Sequence, residues 1–189
     1  MKRLFVAIKT TPDPDFLKQY KELRASLINE KIKWVEDLNI HITLKFLGET
    51  EEKKIPDIEK ALSEVAAVTE SFSFSLKSLG IFGSRYDPRV IWTGIEPYNK
   101  LAGLMENVHA ALEKVGFERD RQNLVPHLTL GRIKFLRDKI TFLKKVDLYK
   151  SMKSQPLQAK SMILFESILK REGPQYIALK ILPLKNPME

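Results

Sequence analysis

HITLKFLG runs from His41 to Gly48, and HLTLGRIK runs from His127 to Lys134. The phrase His-apolar-Thr-Leu thus occurs twice, and it takes two of the three histidines in a chain of 189 residues. Successive side chains of an extended strand point to opposite faces. His41, Thr43 and Lys45 therefore share one face, with Ile42, Leu44 and Phe46 on the other. In the second copy His127 and Thr129 stand opposite Leu128 and Leu130. The apolar face of each strand suits a core. The polar face offers an imidazole and a hydroxyl roughly 7 Å apart, two residues at about 3.3 Å each.

The surroundings of the two phrases also match. KRLFVAIK (residues 2–9) reads as a buried strand, and Phe16, Tyr20, Leu23 and Leu27 mark a helical face. IKWVE (32–36) alternates as a strand before HITLKFLG. Thr50 is the expected cap of a helix reaching about Thr69, with its stripe at Ile55, Ile58, Leu62 and Val65. FSFSLKSLGIFG (72–83) is a strand. RVIWTGIE (89–96) then restarts the series, and a helix over 99–115 follows, closed by Gly116. HLTLGRIK is the next strand and residues 138–149 the next helix. One strand over about 157–170 and another over 175–183 finish the chain. The order strand, helix, HxT strand, helix, strand recurs with similar spacing, which is the pattern of a duplicated unit.

The expected fold is α+β and bilobal. Its two pseudo-two-fold repeats contribute two mainly antiparallel sheets that line a central cleft, with helices outside. The repeats span about 1–83 and 84–183 within a single domain of residues 1–185, with strands crossing between lobes and a frayed tail at 186–189.

Hydrophobic residues form 43% of the chain and charged residues 30%, which places it among globular rather than disordered proteins. The apolar run near the N-terminus, Leu4 to Ile8, is too short for a secretory signal, and no run suits a membrane span. Cysteine is absent and no signal is found, so a cytoplasmic setting is the expectation; a monomer is expected separately. The net charge of +8 fits a nucleic-acid partner, and it equally fits a solvated surface rich in lysine–glutamate pairs.

An imidazole with a pKa near 6.5 exchanges a proton at neutral pH. Two of them flanking a phosphodiester supply a general base for the attacking water and a general acid for the leaving oxygen. The two Thr hydroxyls and nearby cations then hold the non-bridging oxygens. Neither phrase supplies a metal-ligand set, and no cofactor motif is present. A single His beside a Thr reads as a packed strand residue; two copies in matching places read as two halves of one site. Spacing leaves open which histidine is the acid.

The paired motifs, with FVAI, NIHITLKFLGE (39–49), VIWTGIE and VPHLTLGRIK (125–134), resemble the two-histidine phosphoesterase superfamily. Within it the chain is most similar to the RNA 2′,3′-cyclic phosphodiesterases, historically called 2′-5′ RNA ligases. The resemblance covers essentially the whole chain. It implies metal-independent opening of a 2′,3′-cyclic phosphate at an RNA 3′ end to a 2′-phosphate, with reversible 2′-5′ ligation. The substrates it implies are tRNA fragments or other small RNA. It also implies His41 as proton donor and His127 as proton acceptor, with Thr43 and Thr129 on phosphate oxygens.

Arg132 and Lys45 are further candidates for the phosphate. Alternation puts Arg132 on the leucine face, so a strand end or twist has to turn it to the cleft. Trp92 and Phe82 read as core packing before base stacking. Arg85, Tyr86 and Arg89 belong to a loop open to RNA or to water, and His109 reads as structural or surface. Two other functions fit the same residues: a cyclic phosphodiesterase for a small nucleotide or ADP-ribose cyclic phosphate, and a non-catalytic RNA-binding protein.

Overall fold

The computed structural model describes residues 1–84, 86–120, 125–171 and 173–186. Arg85 and most of the 186–189 tail therefore lie outside the described residues. Strand β1 (Lys2–Lys9) is followed by helix α1 (Pro14–Ser26), strand β2 (Lys31–Trp34), a 3₁₀ turn at Asp37–Asn39 and strand β3 (His41–Thr50). Helix α2 (Ile55–Val68) leads to β4 (Phe72–Gly83) and β5 (Pro88–Glu96). Helix α3 (Tyr98–Glu113), β6 (Leu128–Phe135), α4 (Lys139–Leu148), β7 (Leu157–Ala159), β8 (Ser161–Leu169) and β9 (Pro174–Pro183) complete the chain.

Local chemistry accounts for the helix ends. Asp13 caps α1 by accepting the Phe16 amide at 3.1 Å, and Pro14 opens the first turn, where no amide is needed. Asp138 caps α4 by accepting the Ile140 and Thr141 amides, each at 3.0 Å. Thr50 does not cap α2, contrary to expectation. It ends β3 with its hydroxyl on the Gly48 carbonyl at 3.2 Å, and a 3₁₀ turn at Glu52–Lys54 intervenes before the helix.

The strands follow the order β7-β4-β5-β6-β3-β1-β8-β9, with β2 lying along β6, and the named strands all pair antiparallel. The two expected sheets are joined into one nine-stranded sheet, whose halves β3-β1-β8-β9 and β7-β4-β5-β6 meet where Ile42 pairs with Leu128. About that pair the strand order reads alike in both directions, with β3 answering to β6 and β1 to β5. The expected single strand over about 157–170 is two strands. Residues 157–159 pair with β4, and from Ser161 onward the chain pairs with β1 in the other group. One continuous stretch of chain thus serves both lobes.

Helices cover one face of the strands. Leu4, Val6, Ile8, Ile42, Leu44, Leu128 and Leu130 join Phe16, Tyr20, Leu62, Leu104 and Val108 in the main core. The alternate β1 residues, Phe5 and Ala7, turn to the opposite face and pack with Ile163, Phe165 and Tyr176. That second face carries no helix in its cluster and is the wall of the cleft. No helix among the described residues is long and apolar enough to cross a membrane.

Candidate active site

His41 opens β3, and His127 stands one residue before β6. The residue after each histidine, Ile42 or Leu128, is fully buried, and the two pair across the strands. Alternation then sends the flanking His and Thr of both strands to the cleft face, where all four are half-buried. Because the strands are antiparallel, His41 lies on the Thr129 side of the junction and Thr43 on the His127 side.

The two imidazoles are anchored alike. Nδ1 of His41 lies 2.6 Å from the Asn39 carbonyl, and Nδ1 of His127 lies 2.7 Å from the Val125 carbonyl. A carbonyl only accepts, so each Nδ1 carries the proton and each neutral ring keeps its Nε2 lone pair for the cleft. Asn39 also reaches the start of β9, its side-chain amide donating to the Pro174 carbonyl at 3.1 Å. Burial lowers the pKa of both histidines below the ordinary imidazole value, and the bonds to the carbonyls oppose this. The Arg132 charge lowers both further, and His127 adds to the effect on His41.

Aromatic rings wall each histidine. The Phe5 ring centroid lies 5.2 Å from that of His41, and Tyr176 meets His41 edge-on at 5.3 Å. Phe82 meets His127 edge-on at 4.7 Å and stacks on Trp92 at 4.8 Å. Trp92 and Phe82 therefore stand, partly buried, in the wall beside His127 and outside the core clusters, which corrects their reading as core packing. Phe5, Phe165 and Tyr176 were absent from the sequence-based site. Phe5 was legible in principle, since strict alternation in LFVAI puts it opposite the core residues Leu4 and Val6. Tyr176 carries no such signal, because only the β8–β9 register brings it beside His41.

Strand bulges decide the residues after the threonines. Ala7 pairs with Thr43 and Val6 with Lys45, so Leu44 is an extra residue on β3. Trp92 pairs with Thr129 and Ile91 with Gly131, so Leu130 is the extra residue on β6. Each bulge reverses the alternation. Lys45 turns away from the cleft and is only 4% exposed, with Nζ donating to the Glu118 carbonyl at 2.8 Å and to Asp120 at 2.6 Å. Its expected contact with phosphate is thereby corrected. Phe46 takes the cleft side instead, 54% exposed and 6.0 Å from the Phe5 ring. On β6 the same reversal brings Arg132 to the cleft, where its charge acts on His41, His127 and Tyr176. The turn needed for Arg132 is a bulge rather than a strand end.

Of the loop residues, Tyr86 is exposed, and Arg89 is exposed and paired with Asp87 at 2.7 Å. His109 is 1% exposed and belongs to the core rather than the surface. Among the described residues no three His, Asp or Glu side chains cluster as metal ligands.

Residues 10–92 match the family model described as LigT like phosphoesterase. The RNA 2′,3′-cyclic phosphodiesterase of Archaeoglobus fulgidus is 35% identical over 180 residues, covering 95% of this chain and 98% of the relative. That of Methanocaldococcus jannaschii is 33% identical over 179 residues, covering 94% and 98%. A crystal structure of a Thermus thermophilus protein shares the fold, with a TM-score of 0.76 at 24% identity over 98% of this chain and 100% of the other.

Proposed function

The chain belongs to the LigT-like phosphoesterase family, and on that premise we propose that it opens RNA 2′,3′-cyclic phosphate ends to a 2′-phosphate without a metal ion. The observation that carries this reading is the matched anchoring of His41 and His127. Each Nδ1 is held by a carbonyl, and each Nε2 is left to the same cleft.

In the proposed reaction the cyclic phosphate sits between the two imidazoles. Nε2 of His127 takes a proton from water, and the water oxygen bonds to phosphorus. The bond from phosphorus to the 3′ oxygen breaks, and that oxygen leaves with the proton from Nε2 of His41. The ribose keeps the phosphate on its 2′ oxygen. Thr43 and Thr129 donate to the non-bridging oxygens, and the Arg132 guanidinium opposes the charge that builds there. His41 must start protonated and His127 neutral. An RNA 5′ hydroxyl in place of water gives a 2′-5′ linkage by the same two proton transfers.

The test is hydrolysis of an RNA oligonucleotide ending in a 2′,3′-cyclic phosphate, in EDTA, beside nucleoside 2′,3′-cyclic phosphates and ADP-ribose cyclic phosphate. Cleavage of the oligonucleotide to a 2′-phosphate is expected, with losses on the order of 10²–10⁴ in kcat for His41→Ala or His127→Ala. Activity that requires added metal would refute the mechanism. Preference for a mononucleotide would move the substrate to the small cyclic phosphates. A 3′-phosphate product would reverse the leaving group.

A further inference from the structure

A bulge takes one residue out of register and leaves its backbone groups without their ladder partners. The bulges that directly follow Thr43 and Thr129 lie in the motif strands, and their extra residues, Leu44 and Leu130, are buried. A buried carbonyl needs a donor. For Leu44 it is His109 on α3, whose Nε2 donates at 3.1 Å. For Leu130 it is Tyr20 on α1, whose hydroxyl lies 2.7 Å from that carbonyl, joined by the Val35 amide at 2.9 Å. The Tyr20 hydroxyl also lies 2.7 Å from the Val35 carbonyl, so it donates to one of the two at a time.

The arrangement is crossed. Tyr20 precedes the first motif in the chain and holds the second; His109 precedes the second and holds the first. Both are fully buried, in positions where an apolar side chain would otherwise belong. His109 keeps Nδ1 buried with no partner among the described residues, a cost that an apolar side chain would not carry. Burial, first of all, and the nearby Lys45 charge lower its pKa and favour the neutral ring, which donates from Nε2 alone. Asp120, with an oxygen 3.7 Å from Nε2, and Glu106 act in the opposite sense.

We infer that Tyr20 and His109 are paired positioning residues. Each holds the bulge carbonyl of the other repeat's motif strand, and so fixes which side chains enter the cleft. Tyr20 keeps Arg132 on the cleft face, and His109 keeps Phe46 and the His41 strand in place. Neither touches the substrate. The inference rests on the reading of His41 and His127 as the reacting pair.

The experiment follows the ring resonances of His41 and His127 by NMR across a pH titration, together with kcat, KM and melting temperature. Arg132→Met, which removes the cation, sets the reference, and both histidine pKa values rise in it. Tyr20→Phe is expected to shift both in the same direction and to raise KM, because Arg132 is no longer held toward them. His109→Leu is expected to lower kcat about ten- to a hundredfold through misplacement of the His41 strand. His109→Gln, which restores a donor, is expected to recover most of that loss.

A Tyr20→Phe protein that melts earlier but titrates like the wild type would overturn the inference, since the bond would then serve stability alone. So would His109→Leu with wild-type turnover, or His109→Gln no better than His109→Leu. If Tyr20→Phe does not fold, the two His109 variants decide the matter. Failure of the wild-type protein to open the cyclic phosphate would instead refute the function, and the titrations would still report on the clamps.

Discussion

The charge of Arg132 acts on both His41 and His127 and adds to the lowering that burial causes in each. Its removal favours protonation of both rings, because a nearby cation disfavours the imidazolium. In Arg132→Met the two limbs of the kcat/KM pH profile are therefore expected to move to higher pH, with a rise in KM as the phosphate loses a partner. Lys45→Met provides the contrast. Its ammonium is bonded to Asp120 and the Glu118 carbonyl on the far side of the strand, so KM and both limbs are expected to stay in place. A shift of the limbs in Lys45→Met, or none in Arg132→Met, would refute this division. Arg132 and Lys45 carry the same sign of charge and follow the same motif, and only the face on which each emerges separates them.

Trp92 on β5 lies across Gly80 of β4, its paired residue, and Gly80 has no side chain to obstruct it. A Cβ at Gly80 would meet Trp92 Cζ2, and would lie 2.6 Å from Cε2. The indole would have to move, and it packs on Phe82 and toward His127. Gly80→Ala is expected to cost about 1–3 kcal/mol of stability and to lower kcat as the wall beside His127 shifts. Gly103 on α3 is exposed, with nothing within 4 Å of an added Cβ. Gly103→Ala is expected to stabilise by roughly 0.5–1 kcal/mol with kcat unchanged. Denaturant unfolding and turnover measurements on the two variants check both outcomes. Equal effects would mean that close approach of Trp92 is not what the strand position requires.

Across the whole molecule, all three histidines have pKa values lowered chiefly by burial. Near pH 7 and above, folded and unfolded chains bind the same protons at these sites. As the pH falls through about 6.5, the unfolded chain binds protons that the folded chain takes up only at lower pH. Stability should thus decline between pH 7 and 5, before most carboxylates titrate. A melting temperature that is flat or rises over that range would contradict the burial of these rings.

Much of this architecture is legible from residue order. Phe16, Tyr20 and Leu23 announced α1, and the alternation of FSFSLKSLGIFG matched β4 at both ends. Two features were not legible. Residues 157–169 carry no glycine or proline to mark a break, although β7 and β8 bind different lobes. Leu44 and Leu130 are ordinary strand residues, and nothing in them marks a bulge. By itself the sequence determined that two HxT strands exist and that each His shares a face with its Thr, because that pairing depends only on a period of two along one strand. Tertiary structure alone decided which cation enters the cleft. A bulge is a mismatch in residue count between two strands, so neither strand encodes it without its partner, and Lys45 and Arg132 take their faces from β1 and β5.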